Sequence, residues 1–172
     1  FLLGFWGNPT QAQTSENTMI TATANVISAL SITHNSDVDF GNLSATTSGI
    51  VFLDPKSSTS NYVGATSQAG KLSIAGASDQ SILLTWPESV TLTGNTSDEL
   101  VWNLQVNGSD ADNVNTSIEL IDGGQTVTTS ADGGYFLYVG GELGGTAGSP
   151  AALSTQPSGE YTGTATFSVD YN

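Results

Sequence analysis

From Tyr161 to Asn172 the chain reads YTGTATFSVDYN, and apolar and polar residues alternate along it. Tyr161, Gly163, Ala165, Phe167, Val169 and Tyr171 fall on one face of an extended chain, and Thr162, Thr164, Thr166, Ser168 and Asp170 on the other. Side chains alternate across a strand, so the pattern predicts a half-buried β-strand. Chain ends fray unless tied down, so this strand needs ladder partners and a second layer under its apolar face.

Alternation recurs upstream. Ile20, Ala22, Ala24, Val26, Leu30 and Ile32 share a face, interrupted at Ser28. That run is longer than a usual strand, which predicts a break or a change of sheet midway. Val38 and Phe40 face inward before Gly41, where a kink is expected. Gly49–Asp54 is a continuous apolar run ended by Pro55 and reads as a strand buried on both faces. Further strands are predicted near Tyr62–Val63, at Leu72 and Ile74, over Ser81–Trp86, at Val90 and Leu92, over Glu99–Val106, at Ile118–Ile121, at Val127 and over Gly134–Val139. Pro87 stops pairing after Trp86. Asn107–Asn115 and the glycine-rich Gly140–Gly148 read as loops, and no capped helical run exceeds two turns. The expected fold is an all-β, antiparallel, Ig-like β-sandwich over residues 19–172, preceded by an extension over residues 1–18.

Charge narrows the partners. Sixteen acids face only Lys56 and Lys71, with no arginine, for a net charge of −14. Phosphate backbones and anionic lipid surfaces are bound through Lys and Arg, so neither nucleic acid nor an acidic membrane surface is an expected partner. Solubility comes from Ser, Thr, Asn and Gly, a composition common in exported surface proteins. The absence of cysteine removes disulfides and thiolate metal sites.

Little in the sequence points to catalysis. His34 is the only histidine, sits in the polar stretch HNSD and reads as a solvated turn residue. No Gly-X-Ser-X-Gly motif occurs. Spacing selects no carboxylate pair of glycosidase type. No catalytic residue, cofactor or enzymatic activity is therefore expected. The loop GSDADNVN sets Asp110, Asp112, Asn113 and Asn115 close together. Asp110, Asp112 and Asn115 form a weak calcium candidate, because hard oxygen ligands suit that ion. The EF-hand pattern is not met, and a turn in which these side chains bond their own backbone explains the loop equally well. Sequons stand at Asn42, Asn95, Asn107 and Asn115. Trp86 and Trp102 read as core, and Tyr135, Phe136 and Tyr138 occupy both faces of one strand, which predicts a cover from outside the domain.

The first residues, FLLGFWGNPTQAQ, carry an apolar run too short to span a bilayer, which takes about 20 residues. One reading is a signal-peptide remnant, with small residues Thr10 and Ala12 before a cut at Gln13. The favoured reading is a retained segment whose Phe1, Leu2, Leu3, Phe5 and Trp6 are buried in a neighbouring subunit.

Five segments together resemble a known family: ATANVISALSIT, DVDFGNL, KLSIAGASDQSILLTWPESVTL, GYFLYVGGEL and QPSGEYTGTATFSVDYN. They are similar to an uncharacterised family of secreted bacterial β-domains, itself similar to the spore coat protein U domain and, more distantly, to chaperone–usher pilins. The likeness spans roughly Ala22 to Asn172; its most specific parts are the DFG turn and the terminal strand, and it does not cover Phe1–Gly7. It implies an exported, pilin-like subunit whose sandwich lacks one strand, supplied by the next copy in a homopolymer. The residues named for that donor strand are Phe1, Leu2, Leu3, Phe5 and Trp6. Burying them gains about 8–15 kcal/mol, while ordering seven residues costs about 7–14 kcal/mol. A margin that small predicts that part of Gln11–Thr23 also pairs between subunits. The expected role is thus a structural subunit of an extracellular filament. The rival is a monomeric secreted adhesin or carbohydrate-binding module whose surface or glycan ligand the sequence does not name.

Overall fold

Among the described residues, pairing begins at Ser31. The computed structural model describes residues 18–56, 60–96, 98–144, 146 and 148–172. The proposed donor residues Phe1, Leu2, Leu3, Phe5 and Trp6 lie outside these. Among the described residues there are eleven strands: β1 Ser31–Ser36, β2 Val51–Leu53, β3 Gly70–Ala75, β4 Ser81–Thr85, β5 Ser89–Gly94, β6 Glu99–Ser109, β7 Ile118–Glu119, β8 Gly124–Thr128, β9 Gly134–Leu143, β10 Tyr161–Thr162 and β11 Ser168–Tyr171. Their ladders are antiparallel. The only helical pieces among these residues are short 3₁₀ turns at Val114–Thr116 and Leu153–Thr155. No described helix is long and apolar enough to cross a membrane.

The strands form an Ig-like sandwich. Its larger sheet runs β1-β3-β9-β6-β5-β10, with β2 paired to the end of β9 and β7 to the end of β6; the smaller runs β11-β4-β8. Inward residues of the two sheets meet in one core. Ile74, Leu104, Val106, Tyr135 and Leu137 come from the larger sheet, and Ile82, Leu84 and Trp86 from the smaller. Trp86 and Trp102 are 5% and 6% exposed, as their places in alternating strands predicted.

Several elements depart from the sequence reading, and the strand expected near Tyr62–Val63 is reduced to an isolated bridge between Phe52 and Asn61. The central strands run longer: β6 continues through Asn107–Ser109, and β9 through Gly140–Leu143. Gly140 belongs to the strand because the neighbouring backbone comes so close that a Cβ there would lie 2.1 Å from the Leu53 carbonyl oxygen. The terminal strand is split. Tyr161–Thr162 pair with β5 in the larger sheet, Ser168–Tyr171 pair with β4 in the smaller, and residues 163–167 belong to neither ladder. The alternation persists through the crossing because both sheets face the same interior, yet Ala165, Phe167, Val169 and Tyr171 are only half-buried. Finally, the long strand expected from residue 19 forms only from Ser31 onward. Residues 18–30 join no ladder, and Met19, Ile20 and Val26 are 97%, 91% and 93% exposed. The chain is first held at Ser28, whose carbonyl accepts a 2.7 Å hydrogen bond from Tyr171 Oη, and at Leu30, packed on the core.

Candidate functional site

The smaller sheet has three strands against eight in the larger, so it cannot cover the whole inner face. Where cover is missing there is a groove of about 1130 Å³. Leu72, Leu92, Leu100, Trp102, Val139 and Leu143 line it from the larger sheet. One wall is the chain after β1, from Asp37 to Ala45, and the other is the approach to β11, from Gln156 to Ala165 with Phe167.

The first wall is built by the DFG sequence. Asp39 pairs with Gln68 through both backbone bonds, at 2.8 and 2.7 Å. Its Oδ1 accepts the Gly41 N–H at 2.7 Å, a self-closing turn of the kind Asp favours. Gly41 takes φ 70°, in the left-handed region, and a Cβ there would come within 2.9 Å of Gly64 Cα. This turn aims Phe40 at the groove floor, where its ring meets Trp102 edge-on at 6.4 Å. Trp102 is fixed in turn by a 3.0 Å bond from Nε1 to the Gly140 carbonyl. On the second wall, Phe167 stacks on Trp86 at 6.1 Å, and Tyr161 Oη donates to the Pro157 carbonyl at 3.0 Å.

Backbone pairing is also unfinished around the groove. Among the described residues, β1 has only β3 beside it, β11 has only β4, and residues 163–167 have no ladder on either side. An apolar trough flanked by free strand edges is the geometry that accepts an extended segment by β-augmentation: main-chain bonds hold it, and alternate side chains enter the trough.

The other sites named from sequence are placed as follows. His34 lies within β1 rather than in a turn, because His34–Ser36 is drawn into the ladder opposite Leu72 and Lys71. Its Nε2 is 2.9 Å from Asp37 Oδ1, and both side chains are exposed. In the loop after β6, Asp112 Oδ1 lies 2.5 Å from Lys71 Nζ and accepts a 3.0 Å bond from Tyr138 Oη. These bonds, the lysine's first, hold the Asp112 carboxyl below the usual carboxylate range. Asn113 Oδ1 accepts the Asn115 N–H at 3.0 Å and caps the short 3₁₀ turn, while Asp110 is exposed. Among the described residues no three His, Cys, Asp or Glu side chains are grouped to hold a metal ion. Of the sequons, Asn107 is 3% exposed within β6, whereas Asn42, Asn95 and Asn115 are exposed.

The aromatics of β9 receive their cover from this chain. Tyr135 is core, and on the outer face Lys71 Nζ sits 5.7 and 5.9 Å from the Phe136 and Tyr138 ring centroids. Lys71 stands opposite Tyr138 in the ladder, which puts the ammonium over the rings and corrects the expectation of an outside cover. A sandwich short of one strand was what the resemblance implied, but the residues that line the groove were not readable from sequence. The residues themselves gave one signal, the apolar face of Tyr161–Tyr171 with no evident partner.

A family described as a domain of unknown function (DUF4402) matches residues 30–171, which takes in β1 through β11. No curated protein matches the chain.

Proposed function

For a chain that belongs to the DUF4402 family, we propose the role of a structural subunit in an extracellular filament, polymerised head-to-tail by donor-strand complementation. The observation that carries this reading is the open groove with an apolar floor, beside strand edges that are unpaired among the described residues. In a lone molecule such a feature invites aggregation; in a polymer it is the joint. A contact between a groove on one copy and a leading segment on the next is heterologous, so it propagates into a fibre unless it closes into a ring. Phe1, Leu2, Leu3, Phe5 and Trp6 supply an apolar leading segment of the right character. The likeness to coat-type and pilin domains points the same way. Export to the cell surface belongs to this proposal and is supported by a solubility that rests on Ser, Thr, Asn and Gly. The chain is assigned no reaction.

Negative-stain imaging and size-exclusion of the purified chain test the reading. Strand complementation predicts fibres, and monomers when residues 1–29 are removed. A lone 17.6 kDa species from the full chain contradicts it and favours a monomeric adhesin.

A further inference from the structure

We propose that residues 19–27 are the strand that enters the groove of a second copy, adding to the edge, unpaired among the described residues, that begins at residues 163–167 and continues along β11. This rests on the filament reading and specifies which segment makes its joint. Four observations converge on it.

The first is unpaid apolar exposure. Met19, Ile20 and Val26 stand more than nine-tenths exposed, although residues of this type normally find cover. The second is pattern. Ile20, Ala22, Ala24 and Val26 share one face, with Thr21, Thr23 and Asn25 opposite. Tyr161–Tyr171 has the same two-faced design, so the two segments can lie side by side with both apolar faces turned into the trough. Lengths agree as well: Met19–Ile27 and Gly163–Tyr171 each span nine residues, about 30 Å when extended.

The third is charge. In a chain of net charge −14, the stretch from Thr18 to Ser36 contains no Asp, Glu, Lys or Arg. It is a tract that can be buried in an acidic copy without desolvating a carboxylate. The fourth is shape and attachment. Phe40 and Trp102 are bulky where they meet at the groove, and the two alanines between Ile20 and Val26 leave room for close backbone approach. The segment leaves its own domain at Ser28, held by Tyr171 Oη, and does not fold back into its own groove.

The chain has no cysteine, so an engineered disulfide reports one contact only. One population carries Ala24→Cys; a second carries Ala165→Cys or Val169→Cys, which bracket the centre of the acceptor edge. Adjacent strands bring Cα atoms within disulfide range. The two populations are co-assembled, oxidised and run on a denaturing gel. The expected result is a heterodimer band at about twice the chain mass, seen only in the mixture and with one of the two acceptor positions dominant. A double variant carrying both cysteines in one chain is expected to give a ladder of multimers. Fibres without any cross-link overturn the assignment of residues 19–27 and leave the filament reading standing. A bond formed within single copies overturns it as well, in favour of self-complementation. Absence of both fibres and cross-links overturns the filament reading itself.

Discussion

At the scale of single residues, the groove depends on a few side chains that hold one another. Asp39 closes the turn, Gly41 takes the left-handed conformation, and Phe40 is thereby delivered to Trp102. Gly41→Val would place a β-branched residue at φ 70° and press a Cβ onto Gly64. The expected loss is about 1–3 kcal/mol, read as a lower midpoint in denaturant; an unchanged midpoint would show that the turn is not held as described. The Lys71–Asp112–Tyr138 cluster gives a pH prediction. Burial pushes the hydroxyls of Tyr135 and Tyr138 up to about 12, aided at Tyr138 by its bond to Asp112. A raised acid favours the protonated form in the folded state. Its stabilisation is therefore full below the ordinary value of 10 and is lost as pH climbs through about 12. Asp112 works in the opposite sense, stabilising above 3.8 and ceasing to do so as pH falls through its lowered value. Denaturant titrations across pH 10 to 12 should show falling stability, with a shallower fall in Tyr138→Phe; parallel slopes would contradict the assignment. Residue-scale reading of the sequence succeeded where alternation alone decides burial, as at Trp86 and Trp102. It failed at His34 and Asn107, whose polar neighbours look like turns until a distant strand draws them into a ladder.

At the scale of elements, the same rule separates what was legible from what was not. Strands β3, β4, β5 and β9 were visible because their own side chains state the period. The extension of β6 and β9 through Asn and Gly was hidden, since those residues favour turns locally and are held by partners far away in sequence. The splitting of the terminal strand was hidden for a related reason: period two reports which face is apolar, not which sheet supplies the ladder. The unpaired Ile20–Leu30 part of the predicted Ile20–Ile32 strand is the informative case. Its pattern demands a partner, and the described residues of its own fold offer none. A ladder-blocking residue tests this directly. Thr23→Pro removes a backbone donor in the middle of the segment. Fibre yield should collapse while the unfolding midpoint of monomeric material stays the same, because residues 21–29 are exposed in the monomer. A lowered monomer midpoint would mean that the segment already supports its own domain.

At the scale of the whole molecule, sixteen acids and two lysines make each copy repel the next. Screening shortens the reach of that repulsion from about 30 Å at 0.01 M ionic strength to about 8 Å at 0.15 M. Assembly should therefore quicken with added salt, measured by light scattering; slower assembly in salt would point to a joint built on ion pairs rather than on a neutral strand. The composition of the chain sets this charge and the alternation predicts the sandwich, but where the cover is missing appears only when both sheets are in place. Thermal unfolding of the assembled chain against the chain lacking residues 1–29 is the most direct measurement of that missing strand. Complementation predicts that truncation lowers the midpoint by on the order of 10 °C or more, at about 2–4 °C per kcal/mol, and abolishes fibres. Equal midpoints, in a protein that stays monomeric with or without its leading segment, would contradict it.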